Sequence, residues 1–261
     1  MAQTGQMAVI RCDFFSDVLE LGTSMTVLLP QSPSAQIGLA GHGGDAAPPV
    51  LYLLHGLSDD DTAWTRYTSI ERYAAARGLA VVMPQVHRSF YTDEAHGGRF
   101  WTFLSQELPA VVSGFFRVST RRADTFVAGL SMGGYGAFKW ALRQPDRFAA
   151  AASLSGALDV ASLYRQPYTH ELAARVFGDR PVANTDDDLL QLLSTVDAAG
   201  LPRLMLHCGT EDHLLEQNQR FVAACREHGV PLETEFGPGG HEWSYWDAQI
   251  QAVLDRLPVG G

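Results

Sequence analysis

The sequence lacks what a membrane, a nucleic acid or an oxidising compartment would require. No run of about 18 uncharged apolar residues occurs, so no membrane-spanning helix is expected. Residues Met1 to Asp13 carry no basic segment followed by a long apolar one, so no secretory leader is expected either. Lys and Arg form no cluster, and 19 basic against 29 acidic side chains leave a net charge of −10. Phosphate backbones and anionic lipid headgroups would be repelled by such a chain. The cysteines number only 3, Cys12, Cys208 and Cys225, far apart and without a C-x-x-C pair. That spacing argues against a disulfide framework and against structural zinc. The expectation is a cytoplasmic protein that acts on a small molecule, with neither nucleic acid nor membrane as a partner; self-association stays open.

What is present is material for a core. With 261 residues, 46% of them apolar and 18% charged, the chain can build one large α/β domain. Alternation over Ala8 to Phe14 and the aliphatic run Met25 to Leu29 predict an antiparallel strand pair. Between residues 31 and 49 the composition turns to Gly, Ala, Ser and Pro, which predicts a surface loop. Beyond it, continuous apolar runs at Val50–Leu54, Ala80–Met83, Thr125–Ala128, Ala149–Leu154 and Leu204–His207 predict strands buried on both faces. Helical periods fall between them: Gly134, Ala137, Phe138, Ala141 and Leu142 in one stripe, Phe221, Val222 and Cys225 in another, and Trp246, Ile250, Val253 and Leu257 in the last. Pro109 limits a further helix to a start near Gln106. Such alternation predicts a mostly parallel sheet with helices on both faces. Residues 157–200 are long for a connection, mix turn residues with a helical pattern over Asp186–Ala198, and are expected to form a small cap-like insertion over the strand ends.

Chemistry enters at Gly129-Leu130-Ser131-Met132-Gly133, a G-x-S-x-G between an apolar strand and an amphipathic helix. A serine in that turn is lifted off the sheet edge beside a helix N-terminus, and its neighbours must be small for strand and helix to approach. The bland alternative, a tight turn with an incidental serine, would need no partners. Partners follow in the required order: Asp212 beyond the strand Leu204–His207, then His241 on the glycine-rich loop Gly237-Pro238-Gly239-Gly240. Of the neighbours of Asp212, Glu211 is expected to point to the opposite side, and His213 reads as a helix N-terminal residue. An oxyanion hole needs two backbone N–H groups. The candidates are Met132, which follows the serine, and Leu57, which follows the turn at His55-Gly56; His55 is expected to brace that loop. Trp64, Trp101 and Trp243 sit nearest the predicted site loops and are the candidate substrate-binding aromatics.

The segments HGLSDDDTAW (55–64), AGLSMGGYGAFKWAL (128–142), SLSGALD (153–159), CGTEDHLLEQN (208–218) and GGHEWSYWD (239–247) resemble the putative esterase family of α/β-hydrolases. The likeness is greatest to bacterial tributyrin-type short-chain esterases, with S-formylglutathione hydrolases more distant. It implies an α/β-hydrolase fold and hydrolysis of short acyl esters, acetylated sugars included, with no cofactor and no metal. By the same likeness Ser131 would be the nucleophile, His241 the base, Asp212 its orienter, and the Leu57 and Met132 amides the oxyanion hole. Formylglutathione hydrolases carry a Ser-Gly-Leu-Thr-Cys-like segment where this chain has His55-Gly56-Leu57-Ser58-Asp59, which disfavours that substrate. Thioester hydrolysis and acyl transfer are the rival activities, since one acyl-enzyme serves any acceptor. A non-catalytic interaction module is the rival from another class.

Overall fold

A computed structural model gives the architecture, and it describes residues 6–31, 46–165, 169–179 and 181–259. Eight strands form one sheet: β1 (Gln6–Ser16), β2 (Leu21–Gln31), β3 (Val50–Leu54), β4 (Ala80–Pro84), β5 (Thr125–Leu130), β6 (Ala150–Leu154), β7 (Arg203–Gly209) and β8 (Glu233–Gly237). Their spatial order is β1-β2-β4-β3-β5-β6-β7-β8. The pairs β1–β2 and β2–β4 are antiparallel and every other pair is parallel. The helices are α1 (Ala63–Tyr67), α2 (Ile70–Ala75), α3 (Phe100–Thr102), α4 (Leu108–Phe115), α5 (Met132–Arg143), α6 (His170–Phe177), α7 (Leu189–Leu193), α8 (Leu215–Glu227) and α9 (Trp243–Arg256). Among the described residues no helix is long and apolar enough to cross a membrane.

The central strands read as unbroken apolar runs because both of their faces are covered. In β3, Val50, Tyr52 and Leu54 join a core beneath α5 and α8, while Leu51 and Leu53 join a second core beneath α2 and α9. All five are buried. A polar residue in either register would lose its water without a partner, at roughly 1–3 kcal/mol.

Two elements differ from the sequence-based expectation. The helical segment ending at Phe115 begins earlier, at Phe100, and runs through a wide π-type turn over Phe103–Glu107 before α4. Pro109 falls in the first turn of α4 but inside this continuous helical segment, and the Ser105 carbonyl four residues before it accepts instead from the Arg147 guanidinium at 3.2 Å. The helical pattern after residue 186 condenses into the short α7, whose start is fixed by Asp188: its carboxylate accepts from the Leu190 amide at 3.0 Å. Most of the 31–49 loop lies outside the described residues.

The 157–200 insertion is bolted to α5. The chain's single lysine, Lys139, is fully buried in α5. Its Nζ donates to the Tyr91 carbonyl at 2.9 Å and Thr92 Oγ1 at 2.8 Å, and pairs with Asp187 of the insertion at 2.5 Å. Burial lowers its pKa to about 8, against the opposing pull of Asp187. The Tyr135 hydroxyl donates to the Asp187 carbonyl at 2.8 Å, and Arg143 meets Asp186 at 3.2 Å.

Candidate active site

Four of the parallel strands end on the same edge of the sheet, and the loop after each delivers one part of the site. After β5 the chain turns into α5 at Ser131, whose φ of 53° and ψ of −118° are strained for a residue with a side chain. The turn is this tight because its flanks are glycines. A Cβ on Gly129 would lie 2.3 Å from the Gly133 carbonyl oxygen, and one on Gly133 would lie 2.4 Å from that of Leu54.

After β7 comes Asp212, nearly buried, and after β8 comes His241. The two loops are laced together: the Thr210 amide donates to the Gly237 carbonyl at 2.8 Å, and the Glu211 amide to that of Gly239 at 3.1 Å. The Glu211 carboxylate accepts from the Gly239 amide at 2.5 Å, so this residue faces away from the cleft, as expected, and pins the histidine loop from behind.

The result is a continuous relay. His241 Nε2 lies 3.0 Å from Ser131 Oγ, and His241 Nδ1 lies 2.9 Å from Asp212 Oδ2 and 3.1 Å from Oδ1. Burial pushes the Asp212 carboxyl up, but hydrogen bonds from His241 and from the Leu214 amide at 2.8 Å outweigh it, and the net shift is downward. The carboxylate is therefore ionised at neutral pH and accepts a proton-bearing Nδ1, which leaves Nε2 free to accept from the serine.

After β3 the loop His55-Gly56-Leu57 comes to the same place. His55 is buried, and burial pushes its pKa down, so the ring is neutral. Its Nδ1 donates to the Gly56 carbonyl at 2.8 Å and its Nε2 accepts from the Val86 amide at 3.2 Å. Tyr91 donates to the His55 carbonyl at 2.9 Å. Asp61 ties the far end of the loop to β2 by accepting from Ser24 at 3.0 Å and Thr26 at 2.8 Å. Among the described residues the amides of Leu57 and Met132 have no protein acceptor.

A cleft of about 520 Å³ opens above Ser131, lined by Leu57, Ser58, Asp59, His213, His241, Glu242, Trp243 and Trp246 among others. Of the three tryptophans singled out from sequence, Trp243 lines this cleft. Trp64 is buried beneath it, edge-on to Trp243 at 5.3 Å, with its indole donating to the Leu54 carbonyl at 3.1 Å. Trp101 lies elsewhere, under the Arg143 guanidinium at 4.2 Å. Trp246 was not foreseen: it packs edge-on to His241 at 4.8 Å and donates to Ser155 at 3.1 Å. Nor was His213, whose exposed ring meets that of His241 at 4.5 Å. Ligand atoms of Asp212, His213 and His241 lie within 4.8 Å of one another, close enough to converge on a divalent cation. No described residue of the 157–200 insertion lines the cleft; the insertion packs on α5 instead.

A family model described as putative esterase matches residues 26–257. The chain belongs to this family. An acetyl esterase of Caldicellulosiruptor saccharolyticus is 27% identical over 96% of this chain and 98% of its own length. Among solved structures, the Staphylococcus aureus fluorophosphonate-binding serine hydrolase FphF is 34% identical with a TM-score of 0.89, covering 97% of this chain and 99% of that one. The S-formylglutathione hydrolase FrmB of the same organism is 35% identical with a TM-score of 0.84 over the same shares. The fold is that of the α/β-hydrolases, and this esterase is a serine carboxylic ester hydrolase.

Proposed function

We propose that this esterase hydrolyses short-chain acyl esters of neutral alcohols, acetyl to butyryl and including acetylated sugars, through an acyl-enzyme on Ser131. The observation that carries the reading is the relay from Ser131 Oγ through His241 to Asp212, 3.0 and 2.9 Å long, at the floor of the cleft. Ser131 attacks the ester carbonyl as His241 Nε2 takes its proton, and the tetrahedral oxyanion is held by the Leu57 and Met132 amides. His241 then returns the proton to the leaving alcohol, and water repeats the sequence with the alcohol's place exchanged. Asp212 keeps the imidazole in the required tautomer and stabilises its charged form. No step calls for a cofactor or a metal.

The cleft wall supports the neutral alcohol. It carries Asp59 and Glu242 and no Lys or Arg among its lining residues. An anionic leaving group would meet two carboxylates there. Glutathione, with two carboxylates and one ammonium group, is such a group, so the neutral ester is favoured over the thioester. The likeness to FrmB keeps S-formylglutathione as the second reading. Turnover of acetylated sugars, C2 to C8 p-nitrophenyl esters and S-formylglutathione in parallel tests the choice: preference for long chains, or for the thioester, would overturn it. Ser131→Ala should lower kcat by roughly 10⁴–10⁶ without unfolding the protein, and labelling by a fluorophosphonate should vanish with it.

A further inference from the structure

We propose that the outer edge of β1 is the interface of a twofold homodimer, in which two copies of this chain pair antiparallel about Cys12. β1 ends the sheet, and it pairs one-to-one with β2 from Gln6↔Gln31 to Ser16↔Leu21 without a bulge. Every second N–H and C=O of its other side therefore points away from the sheet, and among the described residues no strand pairs with them. Proteins guard such edges with lysine, proline, bulges or brevity. β1 is 11 residues long with no lysine, proline or bulge, and its two charged side chains, Arg11 and Asp13, are of opposite sign and so do not repel a second copy in every register. It also exposes Val9 by 55% and Phe15 by 66%, and the 58% exposed Phe115 stands edge-on to Phe14 at 6.3 Å.

The occupant follows from charge and register. Outward-pointing amides recur at alternate residues, so a strand meeting its own copy must set residues of the same parity opposite one another. The twofold axis then passes through a residue. Centred on Arg11, the pairing faces two arginines; centred on Asp13, it faces two aspartates; both oppose like charges. Centred on Ile10, it sets Val9 against Arg11. Centred on Cys12, it sets Arg11 against Asp13 of the second copy and Val9 against its Phe15, each twice, while Ile10 meets Phe14 on the opposite face. The strand is complementary to itself in that register. Arg11 and Asp13 have side chains 54% and 69% exposed; Arg11 meets Asp13 and the buried Asp61 at 3.3 Å each, which leaves its remaining guanidinium N–H groups to meet the second copy. The catalytic edge stays open, since β1 is separated from β5 by β2, β4 and β3.

Cys12 makes the register measurable. Opposed residues of an antiparallel pair hold Cα atoms about 4.5–5.5 Å apart, within disulfide reach. Cys208 and Cys225 are buried and cannot substitute. Sedimentation of the full chain between about 1 and 100 µM should show a monomer–dimer equilibrium. Oxidation with copper–phenanthroline should lock the dimer, and Cys12→Ser should abolish the lock. Arg11→Asp alone and Asp13→Arg alone should each weaken self-association at least about tenfold, and mixing the two variants should restore dimers. Turnover of p-nitrophenyl acetate and thermal melts report whether each variant is folded. A monomer at every concentration, a dimer that Cys12 does not cross-link, or one that survives both charge reversals would overturn the proposal.

Discussion

Replacing Gly133 by alanine adds one methyl group, and the structure fixes where it must go. The new Cβ would lie 2.4 Å from the Leu54 carbonyl oxygen and 2.7 Å from that of His55, where ordinary contact begins at 3.4 Å. Both obstacles are backbone, so relief requires a shift of about 1 Å, either of the turn that holds Ser131 or of the loop that carries the Leu57 amide. Overpacking of this kind costs roughly 1–3 kcal/mol. In a chain of this size that lowers Tm by roughly 3–10 °C. A displacement near 1 Å between nucleophile and oxyanion donors should cut kcat by about 10²-fold, with KM changed far less. Gly114→Ala supplies the contrast: nothing lies within 4 Å of its Cβ, and it sits in α4. There the same methyl should stabilise by roughly 0.5–1 kcal/mol and leave kcat alone. Melting curves and p-nitrophenyl acetate kinetics on the two variants decide the matter. A Gly133→Ala enzyme with wild-type Tm and kcat would refute the reasoning.

Asp212→Asn should lower kcat by about 10³–10⁴ while leaving fluorophosphonate labelling slow rather than absent, because the imidazole loses its orienting charge but Ser131 stays in place; undiminished steady-state turnover would exclude Asp212 as the orienter. Lys139 has a pKa of about 8 in the folded chain, below its ordinary 10.5. Between those values the unfolded chain binds more protons, so its contribution to stability is fully present above about 10.5 and lost as pH falls through about 8. Denaturant titrations should show the wild type gaining up to roughly 3 kcal/mol on Lys139→Met across that window; a loss would invert the sign and sink the account. Micromolar Zn²⁺ should inhibit ester hydrolysis by drawing His241 toward His213 and Asp212, and a chelator should reverse it. The ratio of inhibited to uninhibited rate should approach one in His213→Ala; equal inhibition of both proteins would place the metal elsewhere.

The parts of the site that a sequence shows well are those imposed by backbone. Ser131 is betrayed by the glycines that a strand-to-helix turn demands: a Cβ on Gly129 or Gly133 would lie 2.3 or 2.4 Å from a backbone oxygen. Asp212 and His241 follow because strands that run parallel must all open at one edge, which makes chain order a guide to space. Side-chain direction is less legible. Trp64, Trp101 and Trp243 all stand near site loops in the chain, yet one lies under the cleft, one beneath Arg143, and one on the wall. Proximity in sequence does not say which way an indole points. His213 was obscured for the opposite reason: adjacency to Asp212 suggested a capping role, whereas its ring reaches across to His241.

One long-range feature had no local signature at all. Lys139 reads as one polar residue on an amphipathic helix, and Asp187 as one of three successive aspartates at the start of a helical pattern. Only the fold joins them, across 48 residues, inside the protein. The same helix begins at Ser131, places Gly133 against the Leu54 and His55 carbonyls, and holds the insertion by Tyr135, Lys139 and Arg143. Each of its residues from Met132 to Leu142 is buried. A helix so enclosed cannot adjust at one end without moving the other, because close-packed interiors transmit displacement rather than absorb it. Substitutions in the insertion that loosen the Asp187 anchor should therefore raise the KM and lower the kcat of the ester reaction together, although no described residue of that insertion touches the cleft.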